Sequence, residues 1–168
     1  NGIEPLSRFL EKNYYEKMLK DVEEFNLFVK EVRGKVQDDI HRPYEMTRRT
    51  AIDTLGNIRN NETKRLLMGA LATFHSYSTE AENNNDKYWI DEWQHNQWHV
   101  CFAIHKNQDN ETFQFLNSFI NENKLDTITY LECCYHIYNY LLFNGADQSE
   151  LNKFITIFEK SIPDLEAC

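Results

Sequence analysis

Apolar residues recur along this chain at three- and four-residue steps, the spacing that lines one face of a helix. Leu6, Phe9, Leu10, Met18, Val22, Phe25, Val29 and Val32 form the first such series. It predicts an opening helix from about Glu4-Pro5, since proline is tolerated in a first turn. Gly34 interrupts the series before Val36 and Ile40. Pro43 starts a new element, because it restrains the residue before it, and Met46, Ala51, Ile52 and Leu55 keep helical spacing as far as Ile58. Asn60-Asn61 break it. A helix capped by Asn61 then runs to about Thr79, with Glu62 well placed at the positive end of the dipole. Leu66, Leu67, Ala70, Leu71 and Phe74 are its inward face, and Gly69, Ala70 and Ala72 predict the close approach of another helix.

The polar run Glu82-Asn83-Asn84-Asn85-Asp86 reads as a loop. Beyond it a helix from about Asp86 to Ile104 carries Trp89, Trp93, Trp98, Val100, Cys101 and Ile104. Asn110 caps the next, to about Asn121, with Phe113, Leu116, Phe119 and Ile120 facing the core. Asp126 or Thr127 opens the penultimate helix, and Gly145 ends it in the left-handed conformation. Thr127 to Phe143 is the most apolar stretch, but Glu132, His136 and Asn139 interrupt it, so it reads as a buried helix and not a bilayer span. Ser149 opens the last helix, with Leu151, Phe154, Ile155 and Phe158 inward until Pro163. The expected fold is all-α, a single domain over 1–168 with about seven or eight helices, in one bundle or in two small subbundles sharing a core.

Composition narrows the functions. With 18 basic against 27 acidic residues the net charge is −9, which disfavours both a nucleic-acid groove and a grip on anionic lipid. Only 5 Gly and 3 Pro leave little turn chemistry for a sheet. Cys101, Cys133, Cys134 and Cys168 form no CxxC pair and read as small buried hydrophobes of a reducing compartment. The basic pairs Arg48-Arg49 and Lys64-Arg65 read as solvated faces.

No catalytic signature assembles. His95 and His99 stand four apart, and Glu92 precedes His95 by three, the Glu-x-x-His spacing of di-iron bundles. A second Glu-x-x-His is missing, because Glu132 and His136 are four apart, and so is the zincin His-Glu-x-x-His. Burial among Leu131, Tyr135 and Ile137 would raise the thiol pKa values of Cys133 and Cys134, not activate them. The chain has no phosphate loop and no Gly-x-Ser-x-Gly elbow. Neither an enzyme nor a metal or cofactor site is expected.

What stands out is aromatic content, 14% of the residues. Each ring alone reads as core, yet Trp and Tyr also dominate interface hot spots. Trp89 and Trp93 share a helix face beside the Tyr77–Tyr88 segment, which makes a partner-binding groove the sharpest candidate site. Its members are His75, Ser76, Tyr77, Glu80, Trp89, Glu92 and Trp93.

The order of blocks from Leu66 to Gly145 resembles the cytoplasmic domain of the DotU/TssL family. These blocks are LLMGALATFHSYSTE, the tryptophans of KYWIDEWQHNQW, Phe102-Ala103-Ile104-His105, Glu111-Thr112-Phe113 and LECCYHIYNYLLFNGA. The family's Asp-Glu pair is replaced by His75-Ser76, and its glycine after the first tryptophan is absent. The resemblance implies a non-enzymatic component of the type VI secretion membrane complex, with relatives in type IVb secretion. It implies docking onto an IcmF/TssM-type membrane protein and baseplate proteins, with a homodimer as a further option. It also implies the cytoplasmic face of the bacterial inner membrane, with a C-terminal transmembrane helix following this soluble part. The alternative is a freestanding helical adaptor or immunity-type protein with a single protein partner.

Overall fold

The structure is a computed structural model and describes residues 3–11, 14, 17, 20 and 42–166, with side chains from 46 to 161 in the last stretch. Seven α-helices and one 3-10 turn occur among them, and no strand. They are α1 (Ile3–Ser7), the 3-10 turn Arg8–Leu10, α2 (Arg42–Ile58), α3 (Asn61–Asn83), α4 (Lys87–His105), α5 (Asn110–Glu122), α6 (Thr127–Phe143) and α7 (Gln148–Glu166). The all-α expectation holds. The opening helix is interrupted early: it tightens into the 3-10 turn and leaves helical geometry at Glu11, where φ is −81° and ψ 147°, while Tyr14, Lys17 and Lys20 are helical. Met18, Val22, Phe25, Val29, Val32, Gly34, Val36, Ile40 and Cys168 lie outside the described residues.

Local chemistry sets the boundaries. From α3 onward each helix opens on Asn or Asp, whose side-chain oxygen accepts an otherwise unpaired backbone N–H of the first turn. The acceptors are Asn60 for Thr63, Asp86 for Trp89, Asp109 for Thr112, Asp126 for Thr129 and Asp147 for Glu150. Asn60 and Thr63 exchange hydrogen bonds as a capping box. The caps of α3 and α5 thus fall one residue earlier than the Asn61 and Asn110 expected from sequence. The cap of α7 falls two before Ser149. Polar residues that read as a loop extend α3 four residues past Thr79, because polarity alone does not stop a helix. What stops it is Asn85 at φ 54°, with Asp86 N–H bonded back to the Ala81 carbonyl and Asn85 N–H to Glu82. Gly145 at φ 73° ends α6 by the same two-bond motif, Ala146 to Leu141 and Gly145 to Leu142. α7 continues through Pro163 to Glu166.

The core runs through six helices. Ile52 and Leu55 of α2, Leu67, Leu71 and Phe74 of α3, Val100 and Ile104 of α4, Leu116 of α5 and Ile137 of α6 are buried, with Ile3 and Leu10 packed against them. α3 and α4 form the most extensive pairing, an antiparallel hairpin turned by Asn84 to Asp86. Close approach occurs at a glycine other than the expected one. Gly69 has nothing within 4 Å of where a Cβ would sit, and Ala72 is exposed. A Cβ on Gly56 would lie 2.9 Å from both Cβ and the carbonyl oxygen of Ala103, so α2 crosses α4 there.

Lys64 is not solvated either. Only 4% of its side chain is exposed, and its ammonium lies 2.6 Å from both Asp109 and Glu111, tying the start of α3 to the start of α5. Hydrogen bonds to Asp109 and Glu111 raise the Lys64 pKa against the opposing effect of burial. Burial pushes Asp109 up, but bonds from Lys64 and Thr112 outweigh it and hold the carboxyl below its usual range. The bond from Lys64 holds Glu111 low as well.

Gly56→Ala is expected to destabilise the fold by roughly 1–3 kcal/mol, the usual cost of overpacking against backbone. Gly69→Ala is expected to stabilise it by about 0.5–1 kcal/mol, since that helical position is open. Urea denaturation of both variants checks the pair. Lys64→Met is expected to melt below wild type at neutral pH. The gap should narrow as pH falls below about 4, because depressed carboxylates contribute stability above their unfolded pKa and lose it as they protonate. Melting curves across pH 2–8 test this.

Candidate functional site

The seven residues of the candidate groove do not converge on one surface. Tyr77, Trp89 and Trp93 do meet: the Trp93 ring stands 4.8 Å from Tyr77, 5.5 Å from Trp89 and 5.5 Å from Phe74. Trp93 is only 7% exposed, so it belongs to the core, while Trp89 and Tyr77 are half-buried at its edge. His75 turns away and meets Phe119 of α5 edge-on at 5.6 Å. Ser76 and Glu80 are exposed on α3.

Glu92 points inward. Its carboxylate takes a hydrogen bond from the Arg48 guanidinium at 2.5 Å, faces Arg49 at 3.6 Å and accepts from the Asn96 amide at 3.0 Å. Arg48 is fully buried, and its guanidinium also sits 5.9 Å from the Trp93 ring centroid. This corrects the reading of Arg48-Arg49 as a solvated pair: α2 delivers Arg48 to a carboxylate 44 residues away, beside the Trp93 ring. Arg49 is part-buried beside it. Of the other basic pair, Lys64 is buried and Arg65 is exposed, reaching Glu111 at 3.3 Å.

With Glu92 committed to Arg48, it cannot join His95 and His99, whose rings stack 5.6 Å apart on the outside of α4. Burial and the Arg49 charge lower the pKa of His99. Among the described residues no three His, Cys, Asp or Glu side chains are grouped to hold a metal ion.

The inner seam of α4 and α6 pairs Cys101 with Cys133, Sγ to Sγ 3.6 Å, and His105 with His136 through their Nδ1 atoms. Cys101, Cys133 and Cys134 are buried free thiols. The contact with Cys133 and burial push Cys101 well up, and burial takes Cys134 to about 11. Burial and the neighbouring His105 take His136 down to about 3. Cys101 and Cys134 stay protonated and His136 stays neutral at physiological pH, so the seam packs these groups uncharged. Nothing in the sequence links His105 to His136, because 31 residues separate them.

α6 shows the feature with most consequence. Its inward face carries Thr129, Cys133, His136 and Ile137 as buried residues, and Tyr138 meets Phe158 of α7. Its outward side carries an apolar stripe as well: Ile128, Tyr135 and Leu142 recur every seven residues and are 47–49% exposed, with part-buried Leu131 on one flank and Glu132 and Asn139 on the other. A helix with apolar residues on both sides is expected to be covered on both. The expectation that Thr127 to Phe143 is buried therefore holds for its inner half only. Phe102 of α4, 53% exposed, lies on the neighbouring helix.

Around Glu92, Arg48→Met is expected to cost roughly 3–5 kcal/mol, because it strands a buried charge. Arg48→Met combined with Glu92→Leu should recover much of that loss. Chemical denaturation of the two single variants and the double measures this coupling.

Comparison with known proteins finds no match: no family model, no curated protein and no solved structure.

Proposed function

We propose that this chain is a non-catalytic docking domain of the DotU/TssL type. In this reading it is the helical cytoplasmic part of a type VI secretion membrane complex and engages an IcmF/TssM-type membrane protein and baseplate proteins. It works at the cytoplasmic face of the bacterial inner membrane, held by a span that follows in the full-length protein. Among the described residues, no helix is long and apolar enough to cross a membrane. The order of sequence blocks supports the family reading. The observation that supports docking is the outward face of α6, where Ile128, Tyr135 and Leu142 leave apolar surface uncovered on a rigid element. Side chains presented at seven-residue spacing suit a helix laid alongside, through i, i+3, i+4 and i+7 anchors. Buried thiols, a neutral His136 and a Glu92 neutralised by Arg48 are the properties of a scaffold.

Co-purification with the IcmF/TssM-type protein of the same genome tests the proposal. Wild type is expected to retain that partner. Tyr135→Lys/Leu142→Lys should lose it without a change in melting temperature, since both positions are exposed and surface substitutions typically move stability by no more than about 0.5 kcal/mol. Absence of co-purification with wild type would count against the family reading. If Glu80→Lys abolishes capture while the α6 variant retains it, docking moves to the rim of α3 and α4.

A further inference from the structure

His105 on α4 and His136 on α6 touch through their Nδ1 atoms at the seam between the two helices. Two imidazole nitrogens in contact share one hydrogen, so one ring donates and the other accepts. Gln108 decides which. Its Nε2 lies 2.9 Å from His105 Nδ1, and an amide nitrogen only donates. This network assigns His105 Nδ1 as the acceptor of two hydrogens, one from Gln108 and one from His136 Nδ1. His136 then carries its hydrogen on Nδ1 and leaves Nε2 a bare acceptor. That atom is buried and has no hydrogen-bond partner.

A further proton has no place in this arrangement. On His105 Nδ1 it would face two hydrogens and break both bonds. On His136 Nε2 it would put a charge in the core with no acceptor opposite. No counter-charge is at hand. Among the described residues no carboxylate acts on either ring, and Asp109, across the small pocket beside the pair, is held by Lys64 of α3. That pocket, about 10 Å³, has room for about one water and none for a hydrated anion. α5 turns Thr112, Phe113 and Leu116 to it, and the remaining titratable neighbours are Cys101 of α4 and Cys133, Tyr135 and Tyr140 of α6. Burial lowers the pKa of His105; burial and His105 take His136 to about 3, against a weaker raising effect of the Cys101 backbone. Both rings therefore bind protons less readily in the folded chain than in the unfolded one. They favour the closed seam above about pH 6.5 and oppose it increasingly as the pH falls below that value.

Tyr135 rests on this pair. Its ring centroid lies 5.6 Å from that of His105 and 5.9 Å from that of His136, and it is the middle residue of the outward stripe of α6. We propose that His105 and His136 form a proton-operated latch beneath that stripe. Neutral, the pair holds α6 on α4 and keeps Tyr135 in line with Ile128 and Leu142. An added proton breaks the contact, loosens α6 and moves Tyr135, so that the face no longer fits its partner. The gating of a partner rests on the reading of α6 as the docking face; the latch itself does not.

Imidazole ¹⁵N spectra of the chain from pH 7.5 to 4.5 test the latch. At pH 7.5 His105 is expected as the Nε2–H tautomer and His136 as the Nδ1–H tautomer. On acidification the Tyr135 ring resonances should follow His105 with one midpoint below 6.5. Exchange of the α6 amides, corrected for its intrinsic pH dependence, should rise by about tenfold or more at pH 5, while that of α3 does not. His105→Gln keeps a side-chain amide opposite His136 and removes the titrating ring, so Tyr135 and α6 should lose their response. Glu132, one turn before His136, is the control, since burial raises its carboxyl pKa toward that of the histidines. Glu132→Gln should keep the response. Three results overturn the proposal: both rings titrating at 6.5 or above, Tyr135 and the α6 amides unmoved while His105 protonates, or an acid response that survives His105→Gln or vanishes in Glu132→Gln. Should His105→Gln fail to fold, the spectra of wild type and Glu132→Gln decide. Capture of the IcmF/TssM-type protein at pH 7.5 and pH 5 reads the gate. Wild type is expected to lose it at pH 5 and His105→Gln to retain it, and equal capture by wild type at both values overturns the gating. No capture at either value counts against the family reading and leaves the latch to the spectra.

Discussion

The contact on which the rest of the structure depends is the buried ion pair of Arg48 and Glu92. Two charges taken out of water are tolerable only when they meet closely and further hydrogen bonds, such as that from Asn96 to Glu92, satisfy them, and that demand organises its neighbourhood. Trp93 lies beside the guanidinium, Phe74 and Tyr77 pack on Trp93, and Trp89 extends the stack toward the surface. Rings that would make good hot spots on an open surface serve here as insulation. Gly56, two turns further along α2, lets α2 touch α4 again at Ala103. Glu92 and Ala103 are about 16 Å apart along α4 at 1.5 Å per residue. Two contacts that far apart fix both the position and the rotation of α2, where an apolar face alone would allow sliding.

This arrangement explains how much was legible in the sequence. Helical periods located six of the seven helices, and the period of α2 identified Ala51, Ile52 and Leu55 as core, because those signals are local. Caps were misplaced by one residue at Asn60/Asn61 and Asp109/Asn110 because each site offers two adjacent capping residues, and backbone angles decide between them. Arg48 and Lys64 looked solvated because a charge without its partner always does. Their carboxylates lie 44 and 45 residues away. The same blindness exchanged Gly56 for Gly69, two glycines inside helical patterns that differ only in what stands opposite. The candidate groove failed as a unit for a related reason. Sequence order put Glu92 next to Trp93 and His75 near Tyr77, but a helix turns neighbours outward in different directions, and only Tyr77, Trp89 and Trp93 share one.

α6 presents the complementary case. Its residues are apolar on nearly every side, so periodicity had no face to choose, and burial was the natural inference. The bundle uses only the half that bears Cys133, His136 and Ile137. That inner half is electrically quiet where Cys134 is held protonated and His136 neutral, which suits a permanent seam between helices. The outer half leaves Ile128, Tyr135 and Leu142 about half exposed. A sequence that needed only to fold could have placed Lys or Glu at 128, 135 and 142 at little cost to stability.

Apolar contact and charge divide the work of recognition on such a face. Burying aliphatic and aromatic surface contributes about 25 cal/mol per Å² but is non-directional. A partner helix sliding by a turn along Ile128, Tyr135 and Leu142 would find much the same stripe. Hydrogen bonds to a carboxylate are directional and short, and a misplaced cation gains little from them. A face of this kind becomes selective by coupling a broad attraction to a single demanding contact.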